Sequence, residues 1–119
     1  MRYVLLINID KTAPTLQAAE IEAILHGHKR FEAELQAAGK IVNTERLRPE
    51  EEASRVRRKA GQLLVTDGPF PETKEVLGGL YVIECDTQDE AIEWAKKIPL
   101  HEDRSVEVWP CWPRRMLER

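Results

Sequence analysis

Residues 78–99 read Gly78-Gly79-Leu80-Tyr81-Val82-Ile83-Glu84-Cys85-Asp86-Thr87-Gln88-Asp89-Glu90-Ala91-Ile92-Glu93-Trp94-Ala95-Lys96-Lys97-Ile98-Pro99, and their pattern changes midway. The apolar run from Leu80 to Cys85 predicts a strand, bounded in front by two glycines. Thr87-Gln88-Asp89-Glu90 is a capping box. The Thr hydroxyl and the Glu carboxylate each satisfy one backbone amide left without a partner at a helix start. Ala91, Trp94, Ala95 and Ile98 then recur at helical spacing, and Pro99 closes the segment. Ser105 to Trp109 predicts the next strand, stopped by Pro110. A strand, a helix and a strand in this order form half of a split βαβ unit.

The N-terminal part repeats the plan. Tyr3 to Ile9 predicts a strand with apolar residues on both faces, and so one covered on both sides. Thr15 to Ala38 predicts a helix whose stripe is Ile21, Ile24, Leu25, His28, Phe31 and Leu35. Gly39 ends it at the position that favours a left-handed residue. Lys40 to Thr44 predicts a second strand. Between the halves, Pro49 to Ala53 reads as an acidic loop. Ser54–Arg58 and Gln62–Thr66 read as a hairpin across Lys59-Ala60-Gly61. Asp67-Gly68-Pro69 is a turn signal, and Phe70 to Val76 reads as an ordered loop. The expected fold is therefore α+β: a ferredoxin-like split βαβ sandwich with an inserted β-hairpin, in a single domain over residues 1–119. Two helices cover one face of the sheet. The other face is apolar and has no helix left to cover it, which predicts a homodimer packed sheet to sheet.

Length and composition set the class. The chain has 119 residues, a formal net charge of −3, 42% hydrophobic and 33% charged residues. Nothing in that balance supports an electrostatic case for nucleic acid. No apolar run approaches the roughly 20 residues of a membrane span. The start, Met1-Arg2-Tyr3-Val4-Leu5-Leu6-Ile7, is broken by Asn8 and Asp10 and does not read as a secretory signal. The two cysteines, Cys85 and Cys111, are too few for a disulfide framework, and no metal spacing occurs. The expectation is a cytoplasmic protein that needs neither metal nor cofactor.

Few residues carry chemistry. His28 lies on the apolar stripe of the first helix, so its imidazole points toward the sheet. There it serves either as a structural histidine capped by a backbone carbonyl or as a general acid or base. His26 and His28 stand two apart on a helix and so point to different faces, which makes a poor chelate. His26 falls four positions from Glu22 and from Arg30. Asp10 is read either as a turn aspartate or as the carboxylate that orients His28. Arg55, Arg57, Arg58 and Lys59 form a basic run that suits a solvated hairpin edge or the docking of an acidic partner or an anionic substrate.

Val65-Thr66-Asp67-Gly68-Pro69-Phe70-Pro71-Glu72-Thr73-Lys74-Glu75, followed by Leu77-Gly78-Gly79, resembles the signature of the YCII-related, or DGPF-domain, family. Tyr3–Ile7, Asp89–Ala95 and Ser105–Val108 are similar to it as well. The resemblance spans about residues 1 to 110. It implies a ferredoxin-like fold that dimerises into an α/β barrel. It also implies acid–base chemistry through a His–Asp pair, carried here by His28 and Asp10. Trp109 stands where the family has Arg. In the motif itself, Gly68 and Pro69 shape the backbone and Phe70 plugs the sheet or the dimer seam; in a functional reading Asp67, Thr73 and Lys74 line a pocket, with Lys74 holding a small anionic metabolite. Two functions remain open. One is an enzyme acting on an organic acid or aromatic-derived metabolite. The other is a non-catalytic ligand-binding or regulatory module, for example the partner of a sigma-factor system, a link that the resemblance implies.

Overall fold

The structure is a computed structural model that describes residues 1–113. In chain order its elements are β1 (Arg2–Asp10), α1 (Ala18–Ala37), β2 (Ile41–Arg46), a 3-10 turn (Glu50–Glu52), β3 (Ser54–Lys59), β4 (Gln62–Asp67), β5 (Glu75–Glu84), α2 (Gln88–Ala95) and β6 (Arg104–Pro110). The main sheet is antiparallel with order β2-β5-β1-β6. One helix lies in the connection between β1 and β2 and the other between β5 and β6. This α+β arrangement is compatible with a ferredoxin-like fold. The hairpin β3–β4 is a separate two-stranded sheet.

Alternation along the strands sorts the side chains. Tyr3, Leu5 and Ile7 of β1, and Tyr81 and Ile83 of β5, are buried under the helices. Phe31 and Leu35 of α1, Ala91 and Ala95 of α2, and Cys85 and Ile98 complete the core. Phe31 meets Tyr81 edge to face, with ring centroids 5.0 Å apart, and Trp94 at 6.2 Å. Val4, Leu6, Leu80 and Val82 alternate to the opposite face, where no helix lies, and remain half-exposed. Trp109, opposite Val4 in the ladder, is 56% exposed.

Three departures from expectation have a local reason. Helix α1 begins at Ala18 rather than Thr15, because the Glu20 carboxylate accepts the Gln17 N–H (2.9 Å) and so places the cap at Gln17. Strand β5 begins at Glu75, inside the segment read as loop, and runs through both glycines. A Cβ on Gly78 would come within 2.6 Å of the Ile9 side chain, and one on Gly79 within 3.0 Å of the Glu45 carbonyl oxygen. Those glycines allow close backbone approach and do not end the strand. The acidic loop carries the 3-10 turn, and Gly68 packs against it. The Gly68 N–H donates to the Ala53 carbonyl (2.8 Å), and a Cβ at Gly68 would overlap the Glu50 carbonyl oxygen.

No helix among the described residues is long and apolar enough to cross a membrane.

Candidate functional site

A cleft of about 620 Å³ opens between α1 and the sheet. Its apolar walls include Ile7, Ile9, Ile21, Ile24 and Leu25, and its polar lining includes His28, Glu32, Thr44, Arg46, Tyr81 and Arg104. The helical stripe explains the placement of His28. It stands four residues after Ile24 and three before Phe31, both buried, so its ring turns inward with them. Gly27 beside it lies against Pro99, since a Cβ there would approach the Pro99 ring within 2.9 Å. This contact keeps a glycine inside a helix, where its propensity alone costs about 1 kcal/mol relative to alanine.

His28 Nδ1 lies 2.8 Å from the Tyr81 hydroxyl, in one shared hydrogen bond. The two rings are stacked, 5.9 Å between centroids and 11° between planes. Burial foremost, then the positive charges of Arg104 and Arg46, hold the His28 pKa below its ordinary 6.5, so the imidazole is neutral at neutral pH. The Tyr81 phenol is pushed up to about 12, first by burial and then by the Glu32 carboxylate, with Thr44 acting in the opposite direction. The Thr44 hydroxyl donates to the Leu80 carbonyl oxygen at 3.0 Å. Phenol and imidazole therefore meet as two neutral groups, and Nε2 has no protein hydrogen-bond partner among the described residues.

Of the three guanidinium groups at the cleft, Arg48 pairs with Glu52 at 2.9 Å, and the other two differ. Arg104 forks onto its neighbour Asp103, with Nε to Oδ1 at 3.0 Å and the terminal nitrogen to Oδ2 at 3.1 Å. Asp103 is buried, so this pair fixes Arg104 in the wall. Arg46, at the exposed rim on β2, makes no side-chain hydrogen bond or ion pair among the described residues. Arg104 held in the wall, Arg46 at the rim and a neutral imidazole beside apolar walls suit a small anion with an apolar body.

The structure separates the other expected site residues from His28. No hydrogen bond joins Asp10 to His28 among the described residues. Asp10 ends β1, and its carboxylate closes the following turn, accepting the Thr12 N–H at 2.8 Å and the Thr12 hydroxyl at 2.6 Å. These bonds, more than the nearby Lys74 charge, lower its pKa. Asp67 sits at the exposed end of β4 and accepts the Ser54 hydroxyl at 3.4 Å. Lys74 is exposed and lies beside Asp10 outside the cleft, whose cationic lining is Lys29, Arg46, Arg48 and Arg104. The Thr73 hydroxyl donates to the Phe70 carbonyl (3.0 Å) and accepts from Lys11 Nζ (2.8 Å). Lys11 Nζ also reaches both Glu50 oxygens (3.1 and 3.2 Å) and the Phe70 carbonyl (2.8 Å), tying β1, the 3-10 turn and the motif loop at the cleft rim. Phe70 itself is half-buried. The Arg55 guanidinium lies 3.9 Å over its ring, and Arg55 pairs with Glu72.

Tyr81, Thr44, Arg46 and Arg104 are absent from the sequence-based site. Tyr81 was accessible to it: it alternates with Ile83 on the core face, and a buried Tyr hydroxyl needs a polar partner. The remaining titratable residues are peripheral. His26 is exposed, 3.9 Å from Glu22, and His101 lies 3.7 Å from Glu20. Cys85 is buried, and burial foremost pushes its thiol up to about 11, well away from a reactive thiolate.

Comparisons with known proteins fit this architecture. An uncharacterised protein of Rhizobium meliloti (strain 1021) is 35% identical to the chain over 95 residues, which is 80% of this chain and 77% of that protein. The YCII-related domain matches residues 1–115, from the first strand past the last, so that both halves of the sandwich and the hairpin between them fall inside the match: the chain belongs to the YCII-related family.

Proposed function

We propose that the cleft between α1 and the sheet binds a small organic acid, anionic at one end and apolar at the other, and that His28 exchanges a proton with it through Nε2. The observation that carries this reading is the setting of His28. It is a neutral imidazole anchored at Nδ1 by Tyr81, facing an apolar cleft with Arg46 and Arg104 at its edge. The apolar walls favour a hydrocarbon or aromatic body, and the guanidinium groups favour a carboxylate. A neutral histidine can accept a proton near neutral pH without a carboxylate partner, so this chemistry does not need Asp10. The test is a thermal-shift screen against small aliphatic and aromatic carboxylates, since a ligand for the native state raises apparent stability by mass action. Hits should stabilise the wild type and lose most of the shift in Arg46→Ala. Turnover of a hit should vanish in His28→Ala while the protein stays folded. Turnover that survives in His28→Ala contradicts the assignment.

A ligand-binding module without turnover is the second reading. It is favoured by the partner of His28, which is a phenol rather than a carboxylate able to stabilise an imidazolium. Binding of a hit without any chemical change in it supports this reading.

We also propose that the chain works as a homodimer closed through the open sheet face into an α/β barrel. The support is the row of Val4, Leu6, Leu80 and Val82, uncovered on the sheet's second face, with exposed Trp109 beside it. A monomer by light scattering at micromolar concentration contradicts this.

A further inference from the structure

The β3–β4 hairpin stands as a two-stranded sheet of its own, and such a ribbon is marginally stable in water unless something covers it. Directly opposed residues share a face. One face therefore carries Arg55 with Thr66, Arg57 with Leu64 and Lys59 with Gln62. Arg55 on this face lies over Phe70 and pairs with Glu72, so this face turns back toward its own chain. The other face carries Val56 opposite Val65 and Arg58 opposite Leu63. Val56 and Leu63 are each 63% exposed and Val65 is 70% exposed, so the apolar residues of this face meet solvent. From Ser54 to Thr66 the hairpin has four cationic residues and no acidic one.

The open face of the main sheet is complementary. Register aligns Glu45, Leu80, Leu6 and Glu107 in one row across it, and Asn43, Val82, Val4 and Trp109 in the next. Its middle is apolar and its two edge strands carry carboxylates. At the β6 edge, Trp109 Nε1 donates to Glu107 at 2.9 Å, which places an exposed indole and a carboxylate side by side. One chain thus holds two uncovered apolar surfaces with opposite charge.

We propose that in the homodimer each hairpin lies on the β6 edge of its partner's open sheet face, with Val56, Leu63 and Val65 against Trp109 and Arg58 against Glu107. This rests on the sheet-to-sheet dimer proposed above and adds what seals its rim. A two-fold axis parallel to the strands sets the β2 edge, from which the hairpin springs, over the partner's β6 edge. The exchange is then reciprocal and closed, so both hairpins are covered and no open chain of copies forms.

A charge swap read by sedimentation tests the arrangement. Arg58→Glu and Glu107→Arg should each weaken the dimer by about tenfold or more, and the double variant should restore it to near the wild-type value, because the coupling of opposed interfacial charges is regained. Circular dichroism checks that each variant is folded. As a second measurement, Val65→Cys combined with Trp109→Cys should give a covalent dimer on a non-reducing gel. A wild-type dimer indifferent to both single swaps, or a double variant weaker than either, overturns the hairpin contact and leaves the sheet-to-sheet dimer standing. A wild type that stays monomeric at every concentration overturns both.

Discussion

His28 and Tyr81 share a 2.8 Å hydrogen bond across the gap between α1 and β5, with their rings 11° from parallel. The bond joins helix and sheet at the inner wall of the cleft and leaves Nε2 without a protein partner among the described residues. Replacing Tyr81 by Phe keeps the ring against Phe31 and removes only the hydroxyl. Nδ1 is then a half-buried polar atom without a partner. The expected cost is about 1–3 kcal/mol, measured by urea unfolding. An unchanged stability would show that the bond contributes nothing net.

The His28 pKa gives a pH signature. Its folded value lies below the ordinary 6.5, so the unfolded chain takes up the proton first. The stability it contributes is complete above about pH 6.5 and is lost as pH falls toward the folded pKa. Carboxylates act in a lower window. Asp10, with ordinary pKa 3.8, and Glu72 and Glu90, with ordinary pKa 4.5, are all shifted down, so their contributions are complete above those values. Between pH 8 and 5 the wild type should therefore lose stability more steeply than His28→Gln, and parallel profiles would count against a shifted His28.

Ligand affinity should depend on the arginines and not on Lys74. With benzoate as probe, Arg46→Ala should weaken binding by about tenfold, the scale of one charge-assisted contact. Lys74→Ala should leave it within error in the same calorimetric titration. The reverse order would move the anion site to the motif loop.

The hairpin turn offers a stabilising change. Ala60 and Gly61 have φ of 52° and 80°, the paired positive values of a primed two-residue turn. Glycine accepts this conformation freely, whereas alanine is strained by about 1–2 kcal/mol. Ala60→Asn creates the Asn-Gly pair favoured in such turns and should raise stability by up to about 1 kcal/mol in thermal unfolding. A lower stability would place Ala60 in a contact that Asn cannot make.

Periodicity exposed most of the sandwich. The run of Tyr3, Leu5 and Ile7, the stripe from Ile24 to Leu35, the Thr87 cap and the hairpin around Gly61 all express local preferences, so they could be read without knowing what they pack against. The start of β5 could not. Gly78 and Gly79 look like strand breakers until Ile9 and Glu45 are seen to crowd them. The site was legible at one point only. His28 is placed by the helical stripe of its own element. Tyr81, Thr44, Arg46 and Arg104 come from three strands far apart in sequence, and nothing local announces their meeting. Asp10 had the right type and a plausible place, but a two-residue turn with Thr12 engages its carboxylate first.

The most direct test of the account is nitrogen-15 NMR of the His28 ring during titration with benzoate, in wild type and in Arg46→Ala. The wild type should show a saturable change in its Nε2 resonance, with Nδ1 still bonded to Tyr81, and the variant a clearly weaker response. Saturable binding of benzoate that leaves His28 Nε2 unmoved would contradict it.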